Sequence, residues 1–156
     1  MSRRRMPASM LALAGLALAA VTAWVLLSIG EDDGKGGEER LALGRQLYDE
    51  HCAACHGADL EGEANWRQRR PDGTLPAPPH DATGHTWHHP DRQLFAITKF
   101  GSAALVGPDY RSTMLSFGDV LSDAEIWAVL DFIRSRWPDD IRRRQAEITA
   151  RAGGRE

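Results

Sequence analysis

Cys52-Ala53-Ala54-Cys55-His56 is the string around which this chain of 156 residues is organised, and it contains both of the chain's cysteines. C-x-x-C-H is the attachment signature of a c-type haem. Each cysteine sulfur can form a thioether bond with a haem vinyl group, and the residue that follows then offers a neutral ring nitrogen as an axial ligand to iron. The string predicts one covalently bound haem c, attached through Cys52 and Cys55, with His56 as a metal ligand.

A cysteine pair can also belong to a zinc site, a thioredoxin-like redox site or a structural disulfide. A structural zinc site needs about four ligands in two pairs, and the chain has no second cysteine pair. A thioredoxin-like redox pair follows a strand in a βαβ unit, whereas the pattern before Cys52 is helical. A disulfide across two intervening residues stays open for an exported protein. Haem attachment is the favoured interpretation.

The amino terminus indicates where the domain is located. Three arginines precede an uncharged run over 8–29, which is 22 residues long and rich in Leu, Ala and Val. As a helix it would measure roughly 33 Å, against a hydrocarbon core of about 30 Å. We expect residues 1–7 to be a cytoplasmic basic flank and 8–29 a single transmembrane anchor or uncleaved signal, with the rest of the chain exported. A cleavable signal peptide remains the alternative.

The remainder divides by composition into three parts. Residues 30–37 are glycine-rich and polar and predict a flexible linker, 38–138 have the size of one domain, and 139–156 form a polar C-terminal tail. This tail has too few apolar residues for a core, so we expect a solvated or frayed extension. Three of the nineteen basic residues lie in the leader and all twenty-two acidic residues lie after it, which gives the exported part a formal charge of −6. That charge argues against nucleic acid and favours redox partner proteins with a positive docking patch.

The domain is predicted to be all-α. A first helix over about 38–54 delivers the C-x-x-C-H string at its carboxyl end, and a second is predicted over 90–100. The third begins with a capping box made by Ser122 and Glu125 and ends before Pro138. The residues spaced along one face of the first helix are Leu41, Gly44, Leu47, Tyr48 and Cys52.

These segments, in this order around C-x-x-C-H, resemble class I c-type cytochromes over roughly 41–137. Gly44 and Tyr48 match the Gly-x-x-x-aromatic pattern of that family's first helix, and Trp127 and Phe132 match aromatic positions of its last helix. The resemblance implies that these two helices cross at close range, where glycine is suited because it has no side chain. It also implies a cytochrome c-like fold of three or more helices around one haem.

Met114 is the predicted second axial ligand. It is the only methionine after residue 10, and it precedes the last helix, where the resemblance places the family's distal methionine. The family commonly has proline after this methionine, and here Leu115 stands instead. A lone methionine used as core filling is the alternative interpretation.

The long connection over 65–90 is expected to be a surface loop packed over the haem. The resemblance implies that a proline carbonyl in this region accepts a hydrogen bond from the axial histidine's other ring nitrogen. Pro78 and Pro79 are both candidates, and Pro79 is the one that we include among the site residues. Three side chains are candidates for contacts with the haem propionates: Trp66, Arg67 and Trp87.

The same connection contains four histidines, and their role stays open. They are His80, His85, His88 and His89. They can pack and bond the propionates, bind a second metal such as copper or zinc, or supply a rival axial ligand. No sulfur ligand lies within the cluster, so packing is the favoured interpretation.

The sequence as a whole predicts a monohaem electron carrier at the outer face of the inner membrane. We expect no enzymatic activity and no small-molecule substrate, because six-coordinate iron leaves no open position. The alternatives are a copper-handling accessory protein that uses the histidine cluster, and a haem sensor or peroxidase if Met114 does not ligate iron.

Overall fold

The computed structural model of the protein describes residues 35–107 and 109–153. The predicted basic flank and the anchor over 8–29 lie outside the described residues. Within the described ranges, no helix has both the length and the apolar character needed to cross a bilayer. The chain divides into two units after Glu39, and the second, Arg40–Glu156, contains the C-x-x-C-H string.

The described backbone contains helices and loops but no strand, which confirms the all-α prediction for this part of the chain. The helices are α1 over 35–51, α2 at Ala53–His56, a short 3-10 helix at Thr86–His88, α3 at Asp91–Phe100, α4 at Ser102–Val106, α5 at Asp123–Ser135 and α6 at Asp139–Arg151. Residues 35–37, expected to belong to the flexible linker over 30–37, are helical. Adding a residue to an existing helix needs no new nucleation, so α1 extends into this polar stretch.

The predicted crossing of the first and last family helices is present between α1 and α5. A Cβ atom on Gly44 would overlap the backbone carbonyl of Ala128 and would lie 3.0 Å from the Cβ of Phe132. The rings of Tyr48 and Phe132 are 5.4 Å apart, and Tyr48 is fully buried. Gly44 is therefore required by the close approach of the two helices, and Phe132 belongs to the core.

The capping box that was predicted for α5 is confirmed. The Ser122 hydroxyl accepts from the Glu125 backbone N–H at 3.4 Å, and the Glu125 carboxylate accepts from the Ser122 N–H at 2.8 Å. Leu121 and Ile126 are both buried, as a hydrophobic staple requires. The start of α5 is therefore fixed by local chemistry, and this orients the helix that crosses α1.

The expectation of a frayed extension after Pro138 is wrong for residues 139–151. They form α6, which packs against the 3-10 helix. Gln145 is only 1 % exposed, and its amide donates to Asp91 Oδ1 at 2.6 Å and to Thr149 Oγ1 at 3.0 Å. Helix α6 joins the domain through buried polar side chains, so its sequence shows no apolar stripe that would predict it.

Candidate haem site

The C-x-x-C-H string forms one tight turn at the end of α1. The His56 N–H donates to the Cys52 carbonyl at 2.9 Å, and Gly57, with φ of 81°, ends the turn. Cys52 and Cys55 are free thiols rather than a disulfide. Burial raises the pKa of the Cys52 thiol to about 12. The structure therefore gives no support to a structural disulfide, and both sulfurs are available on the same turn for thioether bonds to a haem.

His56 is oriented by a single backbone acceptor. Its side chain is buried, and Nδ1 donates to the Pro78 carbonyl at 2.8 Å. A carbonyl can only accept, so Nδ1 carries the proton and Nε2 is the nitrogen left to bind a metal. Burial lowers the pKa of His56, although the bond to the Pro78 carbonyl opposes that shift. The ring is thus neutral, in the tautomer that an axial ligand needs.

The acceptor for His56 is Pro78, so the choice of Pro79 was wrong. Two segments pair alongside α2: the Glu63 N–H donates to the Ala77 carbonyl at 2.9 Å, and the His80 N–H donates to the Leu60 carbonyl at 2.8 Å. Between these bonds, Gly62 has φ of 66°, and a Cβ on it would lie 2.6 Å from the Pro78 carbonyl carbon.

The pairing therefore fixes which proline carbonyl meets the His56 ring. The Pro79 carbonyl lies 3.4 Å from the Thr86 hydroxyl instead. Gly62 was missed by the sequence analysis, since the only signal for it was a glycine six residues after His56.

Comparison with known proteins agrees with this geometry. The family model described as Cytochrome c matches residues 41–137. The chain belongs to the cytochrome c family. Neither the search of curated proteins nor the search of solved structures finds a match. The match confirms the resemblance to class I c-type cytochromes over the predicted range, and it supports covalent haem binding at the two free thiols. Helix α6 lies beyond the matched residues.

A second residue missed by the sequence analysis of this cytochrome is Glu63. Its carboxylate accepts from the Ala77 N–H at 2.6 Å and from Arg70 Nη2 at 2.7 Å. The bond from Ala77 is the main reason that the pKa of Glu63 is lowered. Because Ala77 precedes Pro78, this carboxylate fixes the segment that presents the acceptor to His56.

His80 lies beside His56. The two imidazole rings are stacked, with centroids 3.9 Å apart and an interplanar angle of 18°. If His56 held a haem iron, a ring stacked on it would lie on the same side of that haem, so the stacking does not support the rival-ligand interpretation for His80. Burial is the main reason that the pKa of His80 is well below its ordinary value.

The other three histidines of the cluster contact aromatic rings. His85 stacks on Trp66 at 5.1 Å and meets His89 edge to face at 5.4 Å, while His88 stacks on Trp87 at 3.7 Å. Among residues 35–107 and 109–153, no three His, Cys, Asp or Glu side chains are grouped so that they could hold a metal ion. The ring contacts support the packing interpretation of this cluster.

The three candidates for propionate contacts have the following partners. Arg67 lies over the Trp66 ring, 4.0 Å from its centroid. The Trp87 indole N–H donates to the Ala82 carbonyl at 3.3 Å, and Arg144 of α6 lies 5.2 Å from the Trp87 ring centroid. Trp87 therefore has its donor occupied by the backbone, and the propionate contacts of Trp66 and Arg67 stay a prediction.

Met114 is partly buried in a loop that is tied to the end of α3. Its backbone N–H donates to the Ser112 hydroxyl at 3.0 Å, and that hydroxyl lies 2.7 Å from the hydroxyl of Ser102 in α4. Further along the loop, the Phe117 N–H donates to the Thr98 carbonyl at 3.1 Å. The loop of Met114 is thus anchored at both ends, and ligation of iron by Met114 stays a prediction.

Proposed function

We propose that this cytochrome carries single electrons through one haem c that is attached at Cys52 and Cys55 and bound axially by His56. The observation that carries the proposal is the 2.8 Å bond from His56 Nδ1 to the Pro78 carbonyl, on the same turn as two free thiols. When bound, the haem supplies an iron that cycles between the ferrous and ferric states.

The chain's own residues have three tasks in this function. Cys52 and Cys55 hold the group in place, and the Pro78 carbonyl fixes the tautomer and direction of His56. The sulfur of Met114 is the proposed second ligand, and a soft thioether favours ferrous iron over a second imidazole, which raises the reduction potential. If His56 and Met114 both held the iron, no coordination position would be left for a substrate, so we propose an electron carrier and not an enzyme.

The proposed partners are redox proteins that present a positive docking patch, because the exported part has a formal charge of −6. Nucleic acid and small-molecule substrates are not proposed. The uncharged run over 8–29, preceded by three arginines, supports a single-pass anchor with the domain at the outer face of the inner membrane. Sequencing the amino terminus of the native protein tests the anchor: a start near residue 20 or 24 in a soluble fraction would contradict it.

The test of the proposed function is the haem content and spectrum of the purified protein. We expect one haem per chain, low-spin spectra in both oxidation states, and no change when carbon monoxide is added to the ferrous form. Chains with more than one haem would refute the monohaem proposal. Ready binding of carbon monoxide would instead support a sensor or peroxidase with an open iron position.

A further inference from the structure

The side of His56 that faces His80 is built in layers. The edge of the Tyr48 ring faces His80 with centroids 6.3 Å apart, and His80 then stacks on His56 at 3.9 Å. Tyr48 is itself held by a bond from its hydroxyl to the Gly57 carbonyl at 2.9 Å. A rigid ring therefore supports the His80 imidazole, which in turn covers one face of the His56 imidazole.

His80 is fixed by hydrogen bonds at its ring and its backbone. Its Nδ1 lies 2.8 Å from the Thr86 hydroxyl, which lies 3.4 Å from the Pro79 carbonyl. If the one hydroxyl proton goes to that carbonyl, His80 Nδ1 must be the donor to Thr86. The His80 carbonyl also accepts from the Trp137 indole at 2.7 Å. The imidazole is thus held from two sides and has little freedom to rotate.

The hydrogen bond to the Pro78 carbonyl fixes the direction of the His56 ring but not the orientation of its plane. The ring can still rotate about that bond, and this rotation would change the orientation of an axial ligand. The flat contact with His80 opposes this rotation. We propose that His80 is a positioning residue, which sets the plane of the axial imidazole and places an electron-rich π face against it. The inference rests on the proposed haem site.

This arrangement has a consequence for the reduction potential. An imidazole that donates to iron becomes electron-poor, more so in the ferric state, and a neutral aromatic face beside it stabilises that state. Removing the His80 ring should therefore favour ferrous iron, and an aliphatic replacement acts in the same direction by excluding polar groups from the ligand. The shift should be about two- to tenfold in the ferrous-to-ferric ratio at a fixed applied potential, where tenfold corresponds to about 59 mV.

The experiment compares holoprotein variants by redox titration and by electron paramagnetic resonance of the ferric form, whose g values report the orientation of the axial ring. His80→Leu should raise the ferrous fraction and shift the g values. His80→Phe retains a flat ring and should keep g values close to the original. His88→Leu is the matched control, since His88 stacks on Trp87 instead, and it should change neither measurement.

Thr86→Val keeps the test decisive if His80→Leu does not fold. It removes the hydroxyl that fixes the His80 ring while retaining the side-chain volume, so the g values should shift in the same direction by a smaller amount. An original potential and original g values in His80→Leu, or equal shifts in His80→Leu and His88→Leu, would overturn the inference. If His80→Leu does not fold, original g values in Thr86→Val would overturn it. A parent protein without covalent haem would instead refute the proposed function itself.

Discussion

Gly44→Ala is the substitution for which the structure gives the sharpest expectation for stability. The new Cβ would overlap the Ala128 carbonyl, which belongs to the backbone of α5 and cannot rotate away, so α1 and α5 must separate. Overpacking of this kind usually destabilises by about 1–3 kcal/mol. Alanine has a higher helix propensity than glycine by about 1 kcal/mol. The net loss of about 1–3 kcal/mol that we expect already includes this gain.

The matched control is Gly37→Ala in the same helix, where an added Cβ meets nothing within 4 Å. This variant should be neutral or stabilised by up to about 1 kcal/mol. The two substitutions should thus differ by roughly 1–4 kcal/mol in the free energy of unfolding, measured by guanidinium titration of the holoproteins with far-ultraviolet circular dichroism. Equal stability of the two variants would show that α1 and α5 do not cross at Gly44.

Three further predictions concern the second ligand, α6 and the segment before Pro78. Met114→Ala should open the ferrous haem to carbon monoxide, whereas Leu115→Ala should not; an unchanged spectrum in Met114→Ala would place the second ligand elsewhere. Gln145→Ala should lower the free energy of unfolding by about 1–3 kcal/mol because it removes buried hydrogen bonds to Asp91 and Thr149, while the exposed Gln93→Ala should have little effect; equal losses would argue against a role for α6 in the domain. The pKa of Glu63 is lowered from 4.5, so its ionised form stabilises the fold above that pH and the contribution is lost as the pH falls below it. Between about pH 5 and about pH 3, the free energy of unfolding should therefore fall less steeply in Glu63→Gln than in the parent protein. Identical slopes would show that ionised Glu63 does not stabilise the fold.

The parts of the site that were predictable from the sequence are those encoded by local spacing. C-x-x-C-H and the capping box of α5 each depend on residues within a few positions of one another, whereas the close approach at Gly44 was implied by the resemblance to class I c-type cytochromes. The order of these elements was also enough to indicate the family. These features follow from covalent geometry and helix periodicity, which a single sequence expresses directly.

The parts that were not predictable depend on contacts between distant segments. The choice of Pro78 over Pro79 follows from pairing of the chain near Gly62 with the chain near the prolines, and no local pattern encodes that register. The stacking of His80 on His56 has the same origin. Helix α6 was missed for another reason, since Gln145 and Thr149 are buried and polar and leave no hydrophobic period to detect.

The mass of the intact protein under denaturing conditions tests the central claim most directly. We predict the mass of the chain plus one haem, retained after acid–acetone extraction, and a bare chain when both Cys52 and Cys55 are replaced by alanine. Haem that leaves the parent chain in the extraction, or a parent mass equal to that of the bare chain, would contradict covalent attachment and the account built on it.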